Sequence, residues 1–126
     1  MLSRAFSLKF ANEWINSWNS HDIGQILSHY TDDFEFSSPF IVLTMNVASG
    51  TLKGKDAMGA YWSKSLERIP DLNFELIDVY FGVSSITILY KAILGKVATE
   101  VLIFNDELKV YKSFANYDDC SLPLKS

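Results

Sequence analysis

The chain has 126 residues, 48% of them hydrophobic and 14% aromatic, which is enough for one domain (1–126) with a real core. Its net charge of −4 argues against nucleic acid or an anionic membrane as a partner, because both select basic surfaces. Two histidines and one cysteine are too few for most zinc sites, and no metal or cofactor is expected.

In chain order, Phe6, Phe10, Trp14, Ile15 and Trp18 recur at helical spacing and predict a first helix ending near "NSWNSHD". Asp22 and Gln25 have capping-box spacing and open a second, short helix whose buried face is Ile23, Ile26, Leu27 and Tyr30. "YTDD" closes it. "DFEFSSP" reads as a strand, with Phe34 and Phe36 on one face, and a long connection then runs from Phe40 to Gly54. A third helix follows over about Asp56–Ile69, with Met58, Tyr61, Trp62, Leu66 and Ile69 as its stripe and Pro70 as its stop. After Pro70 the period becomes two. Strands are expected at Asn73–Phe81, Ser84–Ala92, Val97–Phe104 and Leu108–Tyr117, joined by loops so short that neighbours run antiparallel. Three helices cannot cover both faces of such a sheet. The expected fold is therefore α+β: a curved, mostly antiparallel, cone-shaped sheet with the three helices on its concave face and a cavity between them.

The stretches "WINSWNSHDIGQILSHYTDDFEF", "SSPF", "GTLKGKDAMGAYWSKSLERIPDLNFEL" and "FNDELKVYKSFANYD", in this order and over nearly the whole chain, resemble the SnoaL-like branch of the nuclear-transport-factor-2-like superfamily. The resemblance implies a cone-shaped fold, a homodimer and a pocket for a small organic molecule. The branch includes cyclases, isomerases, dehydratases and epoxide hydrolases, and fold alone does not choose among them. Isomerase-like members carry an acid just before the proline that ends the first strand. Here that position is Ser38, and a serine hydroxyl abstracts no proton without a base beside it. No histidine follows His29, so the histidine–aspartate arrangement of the cyclases is missing as well.

The candidate catalytic residues are Glu100, Asn116 and Tyr90. Glu100 shares a strand face with Ala98, Leu102 and Phe104. A three-residue hairpin loop sets it opposite Lys112, either as an exposed cross-strand ion pair or as a buried acid–base pair with Asn116 as companion. A two-residue loop puts Glu100 and Lys112 on opposite faces. The sequence leaves both registers open. The candidate ligand-binding residues are the aromatics Trp14, Trp18, Tyr30, Phe36, Tyr61, Trp62 and Phe114, with Ser38 as a hydrogen-bonding group. His21, His29 and the pair Asp32–Asp33 read as structural or solvated, Cys120 as unreactive, and "GTLKGKD" lacks the P-loop spacing.

Two readings of function follow. One is a domain binding a small apolar or cyclic molecule, with acid–base chemistry such as isomerisation, cyclisation, dehydration or hydrolysis. The other is a non-catalytic dimeric module binding a ligand or a protein. Apolar residues on both faces of the last strands suggest that the outer sheet face is covered by a second copy. A lone cysteine, an opening stretch without a signal-peptide core and the absence of any bilayer-length apolar run lead to the expectation of a cytoplasmic protein.

Overall fold

A computed structural model describes residues 1–121. Helix α1 (Arg4–Asn19) begins at Ser3, whose Oγ accepts from the Phe6 N–H at 3.1 Å. It buries Phe10, Ala11, Trp14, Ile15 and Trp18 along one side. Helix α2 (Ile23–Leu27) is capped by the Asp22 carboxylate, which accepts from the Gln25 N–H. Then come β1 (Tyr30–Ser37), α3 (Pro39–Met45), β2 (Thr51–Lys53), α4 (Lys55–Arg68), β3 (Glu75–Phe81), β4 (Ser85–Lys91), a 3₁₀ turn (Ile93–Gly95), β5 (Val97–Phe104) and β6 (Val110–Tyr117).

The strands form one curled six-stranded sheet in the order β2-β1-β6-β5-β4-β3. The β1–β6 pair is parallel and the other four pairs are antiparallel. On β4 and β5 alternate residues are buried, namely Ile86, Ile88 and Tyr90 and then Ala98, Glu100, Leu102 and Phe104. The α1 rings pack edge-on to this face: Phe10 lies 4.9 Å from Phe104, and Trp14 lies 5.2 Å from Tyr90. This is the expected α+β architecture, a mostly antiparallel sheet with helices packed over one face.

Three local features differ from the sequence-based expectation. Tyr30–Asp33 belongs to β1 rather than to a helix end, because Tyr30 pairs with Val110 across the parallel ladder and the Val110 N–H donates to the His29 carbonyl at 2.9 Å. The segment from Phe40 to Gly54 is not a plain connection. Ser38 caps α3 through an Oγ bond from the Phe40 N–H at 3.2 Å, Pro39 sits at the first helical position, and β2 follows.

The third difference is the β5–β6 hairpin, which follows neither register considered. Its loop spans residues 105–109, held by Asn105 Oδ1, which accepts from the N–H groups of Glu107 and Lys109. Phe104 pairs with Val110, but Ile103 pairs with Lys112, so Tyr111 is bulged out. Beyond the bulge Glu100 pairs with Ala115, and Glu100 and Lys112 fall on opposite faces.

Candidate functional site

A cavity of about 370 Å³ lies between the buried sheet face and the helices. Its inner wall is made by Trp14 and Trp18 of α1, Phe36 of β1, Trp62 of α4, Phe74, and Tyr90 of β4. Its mouth is bounded by Thr44 and Met45 of α3, by Tyr61, Lys64, Ser65 and Arg68 of α4, and by Ile93 and Leu94 of the 3₁₀ turn. All three tryptophans of the chain line it. The volume falls at the lower end of the range for small organic ligands.

The one buried acid at this wall is Glu100, which is 3% exposed. β5 delivers it inward through simple alternation. Its Oε1 accepts from the Tyr90 hydroxyl at 3.3 Å, and its Oε2 accepts from the Ser113 hydroxyl at 3.0 Å. No cation stands within ion-pair distance of it among the described residues. Burial therefore dominates, and it pushes the Glu100 carboxyl from its ordinary 4.5 up to about 8, against the opposing pull of the Ser113 and Tyr90 hydrogen bonds.

The phenols around it move the same way. Burial first and the nearby Glu100 charge second push Tyr30, Tyr90 and Tyr117 up, so all three keep their protons through the neutral range. They serve as hydrogen-bonding groups and not as bases. Tyr30 accepts from the Trp14 indole N–H at 3.1 Å, which ties the α1 wall to the layer beneath the cavity. The Trp18 indole N–H is buried and has no partner among the described residues.

The residues named from the sequence divide into two groups. Glu100, Tyr90, Trp14, Trp18, Phe36, Ser38, Tyr61 and Trp62 come together around the cavity. Tyr30 is fully buried behind it, its ring tilted against that of Phe34 at 4.3 Å, and does not form its wall. Asn116 and Phe114 do not belong with Glu100. The bulge at Tyr111 turns them to the outer face, where Asn116 Nδ2 donates to Thr99 Oγ1 at 3.3 Å and both residues edge a shallow groove by Ser37 and Gly50. Lys112 lies outward too, its ammonium 6.0 Å from the centre of the Phe114 ring.

Residues that the sequence reading missed are Ser113, which takes the place expected for Asn116 beside Glu100, and the wall residues Phe40, Phe74 and Tyr117. Phe40 and Tyr117 meet edge-on at 4.7 Å. The signal for Phe40 was the Ser-Pro helix start. Nothing in the sequence marked the bulge that brings Ser113 inward. His21 and His29 hold backbone carbonyls, Leu72 O at 2.8 Å and Ile26 O at 3.3 Å, and neither borders the cavity. Among the described residues no cluster of His, Cys, Asp or Glu is suited to a metal, and no helix is long and apolar enough to cross a membrane.

A family profile described as "SnoaL-like domain" matches residues 11–92. A SnoaL-like protein of unknown function from Burkholderia thailandensis is 46% identical. The match covers 93% of this chain and 98% of that one, with a TM-score of 0.91. Two more distant structures share the fold. An NTF2-like protein of unknown function from Cytophaga hutchinsonii is 10% identical over 88% of each chain, with a TM-score of 0.68. A protein of ketosteroid isomerase-like fold from Catenulispora acidiphila, in complex with trimethylamine, is 12% identical over 88% of this chain and 86% of that one, with a TM-score of 0.70. No curated protein matches the chain. With the profile spanning well over half its length and a near-full-length relative sharing almost half its residues, the chain belongs to the SnoaL-like family.

Proposed function

We propose that the chain binds a small apolar or cyclic organic molecule in the cavity and acts on it by acid–base chemistry, of the kind used in isomerisation, cyclisation, dehydration or hydrolysis. The observation that carries this reading is Glu100: a carboxyl at an apolar wall, held by two hydroxyls, faced by no cation, and poised at about 8. At neutral pH it holds its proton and donates it to a ligand carbonyl oxygen. The carboxylate left behind then takes a proton from the carbon next to that carbonyl, which forms the enol and restores the acid. A group tuned close to the working pH does both efficiently. Negative charge developing on a ligand oxygen there meets donors in a water-poor setting, where such contacts are strongest. Ser38 Oγ accepts from the Phe40 N–H, which leaves its own proton free to orient the ligand.

The test follows hydrogen exchange α to the carbonyl of a panel of cyclic ketones in D₂O by NMR. The wild-type chain accelerates exchange, and Glu100→Gln lowers the rate by about 100-fold or more. An unchanged rate removes Glu100 from the chemistry. A specific observation favours a second reading, the non-catalytic module: Ser38 stands where an acid would precede Pro39, and no histidine borders the cavity. Ketone binding without accelerated exchange is the result that module gives.

The reading includes a homodimer in a reducing, cytoplasmic setting, which the lone Cys120 suits. Support for the dimer comes from the outer sheet face. Val101 and Phe114 are paired there and half-buried, and Tyr80 and Tyr111 are 55% and 45% exposed. We expect Val101→Glu to convert a dimer into a monomer in sedimentation velocity. A wild-type chain that is monomeric at micromolar concentration rules the dimer out.

A further inference from the structure

Among the cavity's bordering side chains are one carboxylic acid, Glu100 at the inner wall, and two cations, Lys64 and Arg68 at the mouth. The two cations stand one turn apart on α4, both exposed, with Ser65 between them on the cavity side. Like charges at this spacing repel and mildly destabilise a helix. A carboxylate beside them would offset that, but the ion pairs among the described residues are Lys9–Glu13, Lys55–Asp32 and Lys96–Asp119, and neither mouth cation takes part in one. Arg68 sits in the last turn of α4, where a cation complements the helix dipole. That role explains neither Lys64 nor the placing of both groups at the cavity mouth. The protein as a whole is acidic, with a net charge of −4, so a pair of uncompensated cations at the mouth of an apolar hollow is a local reversal of its field.

We propose that the molecule bound in the cavity carries an oxyanion, such as a carboxylate, at the end that faces solvent, and that Lys64 and Arg68 hold it. The ligand class is then an amphipathic organic acid. Its apolar or cyclic body lies against Trp14, Trp18 and Trp62, and its anionic group sits between the two α4 cations. This rests on the reading of the cavity as a binding site and adds the charge and the orientation of the ligand. The orientation places the far, uncharged end of the molecule against Tyr90 and Glu100, so the apolar inner wall takes in no charge. Arg68 holds such a group as a fork and Lys64 as a point charge.

The experiment uses two fluorescent probes with the same apolar body, 8-anilinonaphthalene-1-sulfonate and the uncharged N-phenyl-1-naphthylamine, titrated into the full chain at low salt. Binding is read by energy transfer from the tryptophans. The expected result is an affinity for the sulfonate about 10-fold above that for the neutral probe, the size of a charge-assisted contact. The preference shrinks as salt is raised. In the double variant Lys64→Gln, Arg68→Gln it vanishes, while the neutral probe binds as before. Both positions are exposed, and the unchanged neutral titration is the control for folding. Equal affinities in the wild-type chain, or a preference that survives the double substitution, overturn the proposal and leave the binding site standing. If neither probe binds, the binding-site reading itself fails, and the proposal falls with it.

Discussion

Glu100→Gln raises stability toward unfolding at pH 8 by on the order of 4 kcal/mol and leaves it nearly unchanged at pH 4. The cause is the mismatch between the folded state, where the Glu100 carboxyl titrates at about 8, and the unfolded chain, where it titrates near its ordinary 4.5. Below pH 4.5 both states hold the proton, and the group does not affect the balance. Between about 4.5 and about 8 the unfolded chain has released its proton while the folded chain keeps it, so stability falls as pH rises. Above 8 both are ionised and the loss is complete. Glutamine has the shape of the protonated acid and no charge to bury, so the variant lacks this slope. Urea unfolding of both proteins across this range checks it, with the difference between the two curves as the quantity of interest. His29, which burial pushes down, contributes a slope of its own at acid pH, but it cancels in that difference. Parallel curves for the two proteins mean that Glu100 is an ordinary ionised carboxylate, and its role as a proton donor goes with that. A stabilised variant that loses ketone exchange shows a functional group kept at a cost to the fold.

The parts of this molecule that could be read from its sequence are those where burial is strongly periodic. The α1 stripe from Phe10 to Trp18, the α4 stripe of Met58, Trp62 and Leu66, and the alternation on β4 and β5 each bury one face against the same core. Glu100 stood out because it interrupts such an alternation with a charge. The other parts depend on contacts distant in sequence. Tyr30 looked like the last residue of a helix because its parallel pairing with Val110 lies 80 positions away. Helix α3 buries only Phe40 and Ile41, too few for a stripe, although Ser38 and Pro39 spell a helix start.

The hairpin joins both problems. Its register is set at the far end by His29, just ahead of β1, whose carbonyl takes the Val110 N–H, and by Leu108, which turns the chain in the left-handed region at φ +60°. Sequence arithmetic on an unbulged ladder cannot produce that outcome. The bulge at Tyr111 exchanges Asn116 for Ser113 as the companion of Glu100 and removes Lys112 from the cavity. This changes the chemistry. A carboxylate beside an ammonium stays ionised, whereas one held by two hydroxyls in an apolar wall keeps its proton.

The cavity itself is tested by two rings two residues apart on β1. Phe34 and Phe36 both point to the core side, and both meet Trp62, at 5.8 Å and 5.3 Å. Phe34 is wholly buried, packed also against Tyr30, and lies away from the cavity wall, whereas Phe36 borders the hollow. Phe34→Ala therefore opens a void in close-packed surroundings and costs about 3–5 kcal/mol. The ring of Phe36 has fewer atoms against its cavity side, so less dispersion contact is lost with it, and its truncation enlarges a space that already exists. Phe36→Ala costs about 1–2 kcal/mol less than Phe34→Ala. Urea midpoints at a common slope measure the gap. Equal losses mean that Phe36 is packed on every side as Phe34 is, and a protein so packed has no room for a ligand beside Glu100. The comparison needs no knowledge of the ligand. It asks of the empty protein whether the hollow between α1, α4 and the sheet is there, and the chemistry of Glu100 and the charge reading at Lys64 and Arg68 both depend on that space.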